Sequence, residues 1–201
     1  MRLLLANVLV TVLFAGCGDG VPSEYQPRHG DVIFQSLPAS PLVQAIEGAT
    51  RSPFSHCGLV LQRGDSFLVL EAFHVVHETP LGAWIRRGRA GAFSVFRLRS
   101  PWSAKIEDVI AEALRFTGRP YDMHYAFDDD AIYCSELVFK AFKAATGESL
   151  GVTQRLGDLH WRPFEDFIKG LEGSVPLDRE MITPKMLSEA AQLEEVLKIG
   201  R

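Results

Sequence analysis

Ser55-His56-Cys57-Gly58-Leu59-Val60-Leu61-Gln62-Arg63-Gly64-Asp65-Ser66-Phe67-Leu68-Val69-Leu70-Glu71-Ala72-Phe73 is the stretch on which the fold turns. Two runs rich in branched and aromatic residues, Ser55 to Leu61 and Phe67 to Phe73, flank a polar segment containing a glycine, the pattern of a β-hairpin. If the loop is centred between Arg63 and Gly64, His56 falls directly opposite Glu71, and opposed side chains have Cβ atoms about 4.5–5.5 Å apart. A three-residue loop would put Glu71 on the other face. A carboxylate in so apolar a strand needs a partner, and the hairpin supplies His56. An imidazole oriented by a carboxylate is the base half of a nucleophilic site. The same two residues also fit a structural His–Glu pair without chemistry, because a lone histidine among apolar neighbours is more often a hydrogen-bonded core residue.

The nucleophile that would complete such a site lies downstream. Leu137, Val138, Ala141, Phe142 and Ala145 recur at helical spacing, with Gly147 as the stop, so a helix is expected from about Cys134 to Ala145. Cys134 then stands in the first turn, where unpaired N–H groups and the helix dipole favour a thiolate. A buried, inert thiol is the competing reading. Strand alternation turns Cys57 away from His56, so Cys57 is expected in the core, facing away from Cys134.

Around these elements the sequence predicts a strand over Gly30 to Gln35 and a helix capped by Ser40 with Pro41 first, ending near Gly48. It further predicts a strand over Ala92 to Leu98 and a helix from Ser103, as N-cap, to Thr117-Gly118. A short helix opens at Thr183-Pro184 and runs through Ala190, and Leu197 to Ile199 forms an edge strand. The expected class is α+β, a mainly antiparallel sheet packed against helices. Other reactive-looking groups read as structure. His74 and His77, three apart on a strand, point to opposite sides rather than to one metal. Asp128-Asp129-Asp130 reads as solvated or N-capping, and Trp84, Trp102 and Trp161 as packing.

The chain has 201 residues, 47% of them hydrophobic and 23% charged, enough for one well-buried domain. A formal charge of −4 and a pI near 5.9, without a Lys/Arg-rich face, argue against nucleic acid as a partner. Met1-Arg2 precedes the apolar run Leu3 to Phe14 and the small residues Ala15-Gly16, a signal-peptide pattern over residues 1–16. The run is too short for a bilayer span, which takes about 20 residues. Leu13-Phe14-Ala15-Gly16-Cys17 resembles a bacterial lipobox, with Phe14 a departure from the usual Leu. That resemblance implies lipidation of Cys17, a tether over residues 17–29, a soluble domain over 30–201, and an exported protein anchored in the bacterial cell envelope.

Together, Gly30-Asp31-Val32-Ile33, Ser55-His56-Cys57-Gly58-Leu59-Val60, Glu71-Ala72, Pro80-Leu81 with Trp84-Ile85, Gly118-Arg119-Pro120-Tyr121-Asp122, Tyr133-Cys134-Ser135-Glu136-Leu137-Val138 and Ile182-Thr183-Pro184 resemble the YiiX-type permuted papain-like amidases, a circularly permuted branch of the NlpC-like cysteine peptidases. The histidine strand precedes the cysteine helix, which is the permuted order. The resemblance implies Cys134 as nucleophile, His56 as base and Glu71 as orienting carboxylate, and it adds Tyr133 beside the nucleophile. Tyr121 and Asp122 match a loop motif, where substrate contact and a turn role both stay open. Cys57 stands where an aliphatic residue is expected. No metal or organic cofactor is implied. The expected activity is hydrolysis of an amide or acyl bond in a cell-wall peptide or a lipid through a thioester. A non-catalytic lipid- or amino-acid-binding lipoprotein on the same fold is the alternative.

Overall fold

The structure, a computed structural model, describes residues 20–200. Its elements follow in the order β1 (Val32–Gln35), α1 (Pro41–Thr50), β2 (His56–Arg63), β3 (Ser66–Phe73), β4 (Val75–Pro80), α2 (Leu81–Arg87), β5 (Phe93–Leu98), α3 (Ile106–Leu114), α4 (Cys134–Thr146), β6 (Gln154–Arg155), α5 (Glu165–Glu172), β7 (Glu180–Met181), α6 (Pro184–Ser188) and β8 (Leu193–Ile199). Six strands form one sheet in the order β4-β3-β2-β1-β5-β8, with every neighbouring pair antiparallel. Strands β6 and β7 pair separately. The α+β architecture is the expected one.

Both faces of the sheet are covered, which is why its central strands read as unbroken apolar runs. Val32, Phe34, Leu59, Leu61, Leu70 and Ala72 pack under α3 and α4. Their neighbours in sequence, Ile33, Val60 and Val69, face the other way, against Trp84 and Ile85 of α2 and against Tyr25. Helix α1 starts as expected, with Pro41 in the first turn and the Ser40 hydroxyl accepting the Val43 N–H at 3.2 Å. Helix α6 repeats the device, Thr183 Oγ1 accepting from Met186 N at 3.3 Å. Helix α4 ends at Gly147, whose φ of 79° only glycine adopts freely.

Three expectations are corrected. Residues 20–29 are not a free tether: Tyr25 is 4% exposed, its hydroxyl donates to Asp31 Oδ2 at 2.9 Å, and His29 Nδ1 accepts the Gln62 N–H at 3.0 Å. An aromatic ring that can fill a sheet face is buried there, so the domain starts before Gly30. Ser103 does not cap α3; it lies in a short 3₁₀ turn, Trp102–Lys105, and the α-helix begins at Ile106. The β2–β3 turn is centred between Gly64 and Asp65, one residue later than expected, so that Arg63 pairs with Ser66 and Leu59 with Leu70. Gly64 takes a φ of 60° at the first central position of a two-residue turn, where type II′ hairpins place glycine. Residues 1–16 and Cys17 lie outside the described residues.

Candidate active site

The shifted turn changes which residues are opposite each other but not which face they share. Continuing the observed register sets Gly58 across from Glu71 on β2, while on β4 Glu71 is paired with His77. His56 therefore lies diagonally from Glu71, not directly opposite, two residues along the same face. Diagonal neighbours are within reach of long side chains. Glycine at 58 makes the reach possible: a Cβ there would stand 2.5 Å from the Val69 side chain and 3.4 Å from Glu71 Cβ. The His56 Nε2 to Glu71 Oε2 distance is 2.5 Å, with both side chains buried.

Glu71 is held from three sides. Besides His56, Thr79 Oγ1 on β4 donates to Oε1 at 2.6 Å, and the Arg87 guanidinium at the end of α2 donates to Oε2. Burial alone would push this carboxyl up; its bonds to His56, Thr79 and Arg87 instead hold it down, at about 2. Arg87 is fixed in turn over the Phe73 ring, 4.0 Å from its centroid. The His56 ring is wedged between Phe73, edge-on at 5.9 Å, and Trp84, stacked at 6.1 Å. With Nε2 bound to Glu71, Nδ1 is the nitrogen left for another partner.

That partner is Cys134, the first residue of α4. Burial lowers the His56 pKa, but hydrogen bonds to Cys134 and Glu71, and their charges, lift it to about 9. Cys134 is held well below the usual thiol range, first by a hydrogen bond from the Cys57 thiol, then, against the cost of burial, by His56 and by the Cys57 main-chain N–H. Burial pushes the Cys57 thiol up, so it stays protonated and donates. These influences favour a thiolate on Cys134, an imidazolium on His56 and a carboxylate on Glu71. Such a set suits attack on a carbonyl and protonation of a departing group, and the N–H groups at the start of α4 suit an oxyanion.

A model of the permuted papain-like amidase enzymes, YaeF/YiiX, C92 family, matches residues 26–197. The chain belongs to that family. As a permuted papain-like amidase it is similar to the uncharacterized protein YiiX of Escherichia coli strain K12, 35% identical over 202 residues that span 98% of this chain and 95% of the relative. It also matches the crystal structure of metalloprotein YiiX from Escherichia coli O157:H7, with a TM-score of 0.83 and 34% identity over 88% of this chain and 100% of the other. The permuted papain-like fold implied by the resemblance is thus established.

The other expected positions divide. Tyr133 precedes Cys134, but its hydroxyl accepts the Ile182 N–H at 3.0 Å and its side chain is buried, so it braces the approach to α6. Tyr121 lies near the sulfur and its hydroxyl meets that of Tyr125 at 3.3 Å; burial, followed by their mutual interaction and the Cys134 charge, pushes the Tyr121 phenol up. Asp122 Oδ1 accepts the His124 N–H at 2.8 Å, a turn role. Asp128 caps its own turn through Asp130 N at 3.0 Å, and Asp129 pairs with Lys140 at 2.7 Å. His77 is in reach of Thr79, at 3.0 Å, on the rim of the Glu71 network.

Cys57 is the main correction. It does face away from His56 across its strand, into the helix-covered core, but that is where Cys134 sits, so the two thiols meet rather than face apart. Strand alternation holds, but Cys134 does not share the imidazole's face, because His56 opens β2 and α4 begins beside that strand end. Thr79, Arg87 and Tyr125 carried no signal in the sequence, since each acts through a neighbour distant along the chain. Trp84 is more than core packing, because it stacks on the His56 ring.

Proposed function

We propose that the chain is a cysteine hydrolase that cleaves an amide or acyl bond of the cell envelope through a thioester on Cys134. The observation that carries this reading is the single imidazole of His56, bound to the Glu71 carboxylate on one side and to the Cys134 sulfur on the other. The thiolate attacks the substrate carbonyl, and the oxyanion is met by N–H groups at the start of α4. The imidazolium gives its proton to the leaving amine or alkoxide as the C–N or C–O bond breaks. Neutral His56 then takes a proton from water, the hydroxide adds to the thioester, and the Cys134 thiolate departs with the imidazolium restored. Glu71 stays ionised throughout, fixing the ring and balancing its charge.

The leader pattern and the lipobox-like segment at Cys17 support an exported, membrane-anchored protein. Among the described residues no helix is long and apolar enough to cross a membrane. The solved YiiX relative is described as a metalloprotein. In this chain the obvious donors do not fit an ion: His56 and Glu71 are engaged with each other, and Glu71 also with Thr79 and Arg87. Among the described residues no group of three or more His, Cys, Asp or Glu is placed to hold a metal. No step of the mechanism is routed through one.

Alkylation with iodoacetamide as a function of pH tests the reading. Mapping the modified peptide should show Cys134 reacting below pH 7 while Cys57 stays unmodified, with the signal absent in Cys134→Ala. A Cys134 that reacts only as an ordinary thiol does, above pH 8, would instead favour a non-catalytic binding protein on this fold.

A further inference from the structure

Cys57 is a buried thiol to which the proposed reaction gives no chemical step. It and Cys134 are the two cysteines among the described residues, and both are free. Both stand in the helix-covered core, Cys57 on β2 and Cys134 at the start of α4. They touch at two points, since the Cys134 sulfur accepts from the Cys57 thiol and from the Cys57 main-chain N–H. We propose that the two form a peroxide-responsive pair, in which hydrogen peroxide oxidises Cys134 to a sulfenic acid and the Cys57 thiol closes on it as a reversible disulfide. The pair is a modification site whatever the substrate is. Its consequence, that turnover stops while the bond lasts, rests on the cysteine-hydrolase reading.

The two thiols differ in the way that an attacking and a resolving group must. Hydrogen bonds from Cys57 and His56 hold Cys134 low, and the thiolate is the form that peroxide oxidises. Cys134 is also the one that can be reached: it lines a cleft between α1 and α5, about 760 Å³ with the solvent at its mouth included. Cys57 has no exposed surface, and burial keeps its thiol protonated, so an oxidant in solution meets Cys134 first. As a packing group Cys57 fills space that an aliphatic side chain fills as well. What the thiol adds at that place is a group able to react with the sulfur it touches.

The Cys134 thiolate attacks one oxygen of the peroxide. The S–O bond forms, the O–O bond breaks, and the departing hydroxide takes the His56 proton and leaves as water. The Cys57 sulfur then attacks the Cys134 sulfur as the S–O bond breaks, and the Cys57 proton goes with that hydroxide as a second water. Each sulfur gives up one electron, and the two peroxide oxygens gain one each. Closing the bond brings the sulfurs from contact to about 2.05 Å. The bond from the Cys57 N–H to the Cys134 sulfur shows that the two residues already adjoin, which leaves this approach to side-chain rotation. A thiol held against the sulfenic acid reacts ahead of thiols in solution. The disulfide then keeps Cys134 from the sulfinic acid, which thiols do not reverse.

Peptide mapping tests the pair separately from catalysis. Hydrogen peroxide in small excess is added to the full chain until Cys134 no longer reacts with iodoacetamide, and the digest is mapped before and after dithiothreitol. The expected product is a Cys57–Cys134 linked peptide within one chain, which dithiothreitol reopens. In Cys57→Ala and Cys57→Ser the oxidised Cys134 should pass on to the sulfinic acid, so that dithiothreitol recovers at least about tenfold less of its thiol than in the wild type. Circular dichroism confirms that each variant is folded, and the wild-type map decides without them. On p-nitrophenyl acetate, turnover of the wild type should fall at least about tenfold on oxidation and return with dithiothreitol. Sulfinic Cys134 in the wild type to the same extent as in Cys57→Ala, or a link made only between chains, would overturn the pair and leave the hydrolase. A Cys57–Cys134 link in a protein whose reduced Cys134 cleaves neither an ester nor an amide would overturn the hydrolase and leave the pair.

Discussion

The two surroundings of the Cys134 sulfur are built on opposite plans. On the His56 side, Glu71, Thr79 and Arg87 form a buried network in which a carboxylate has three charged or polar partners. On the cleft side the wall is carbon, and its hydroxyls are turned back onto the main chain. The network comes from adjacent strands and the helix that follows them, so its geometry is set by pairing register; the cleft comes from α1 and α5, which are far apart in the chain. The difference separates two tasks. In the proposed reaction one side would fix the protonation and aim of a reacting group, where displacement of an ångström matters, and the other would sort substrates by shape and polarity.

If that division is right, variants on the network side should act on turnover. Cys134→Ala or His56→Ala should lower kcat about 10⁴-fold or more, measured on any cleaved ester, with little change in the melting temperature for Cys134→Ala. Retained turnover in Cys134→Ala would remove the network from the chemistry altogether.

Glu71→Gln is the next largest. It keeps a hydrogen-bonding group of the same shape but no charge to balance the imidazolium, so kcat should fall roughly 10²- to 10⁴-fold without vanishing. Glu71→Leu should cost more, since the ring also loses its orienting partner. The wild-type pH profile should be bell-shaped. Its alkaline limb should lie near pH 9, where His56 loses the proton needed by the leaving group. In Glu71→Gln that limb should move to lower pH, because a partner that raises the His56 pKa has been weakened. An unmoved limb would show that Glu71 acts only as a structural brace.

Cys57 tests the boundary between the two regions. Its thiol and N–H both lower the Cys134 pKa, and Cys57→Ala removes only the thiol. The Cys134 pKa should rise and the acid limb of the profile shift to higher pH, while kcat at the optimum changes by less than about tenfold. A variant that is merely less stable, with its acid limb in place, would return Cys57 to a packing role.

The smallest effect is expected on the cleft side of the fold. Ser40→Ala removes the cap of α1, the helix that carries Leu42 and Ile46, and should cost about 1 kcal/mol in urea unfolding with turnover of short esters nearly intact. A large loss of short-ester turnover would mean that α1 also holds the reacting groups in place.

Much of the site was legible because it rests on local signals. A carboxylate at 71 and a histidine at 56 in apolar strands joined by a glycine-bearing turn fix a shared face whichever of two turn centres is used, since moving the centre by one residue shifts the pairing by two and leaves the parity alone. Cys134 at the start of a periodic helix with Gly147 at its end is equally local. Tyr25 was read as tether because nothing near it in the chain shows that a sheet face lies open for its ring. Arg87 and Thr79 were missed because their function is defined only by Glu71, and Cys57 was misjudged because alternation gives a side chain's face but not what lies against it.

The sequence by itself therefore determined the class of the fold, the order of histidine strand and cysteine helix, and the three residues from which the chemistry is proposed, because hydrophobic period, caps and turn residues act over a few positions. Only the tertiary structure decided the diagonal pairing of His56 with Glu71, the contact of the two thiols and the apolar cleft between α1 and α5. Those depend on how elements distant in sequence pack, and packing is settled by the burial of whole surfaces, which no short window of residues contains.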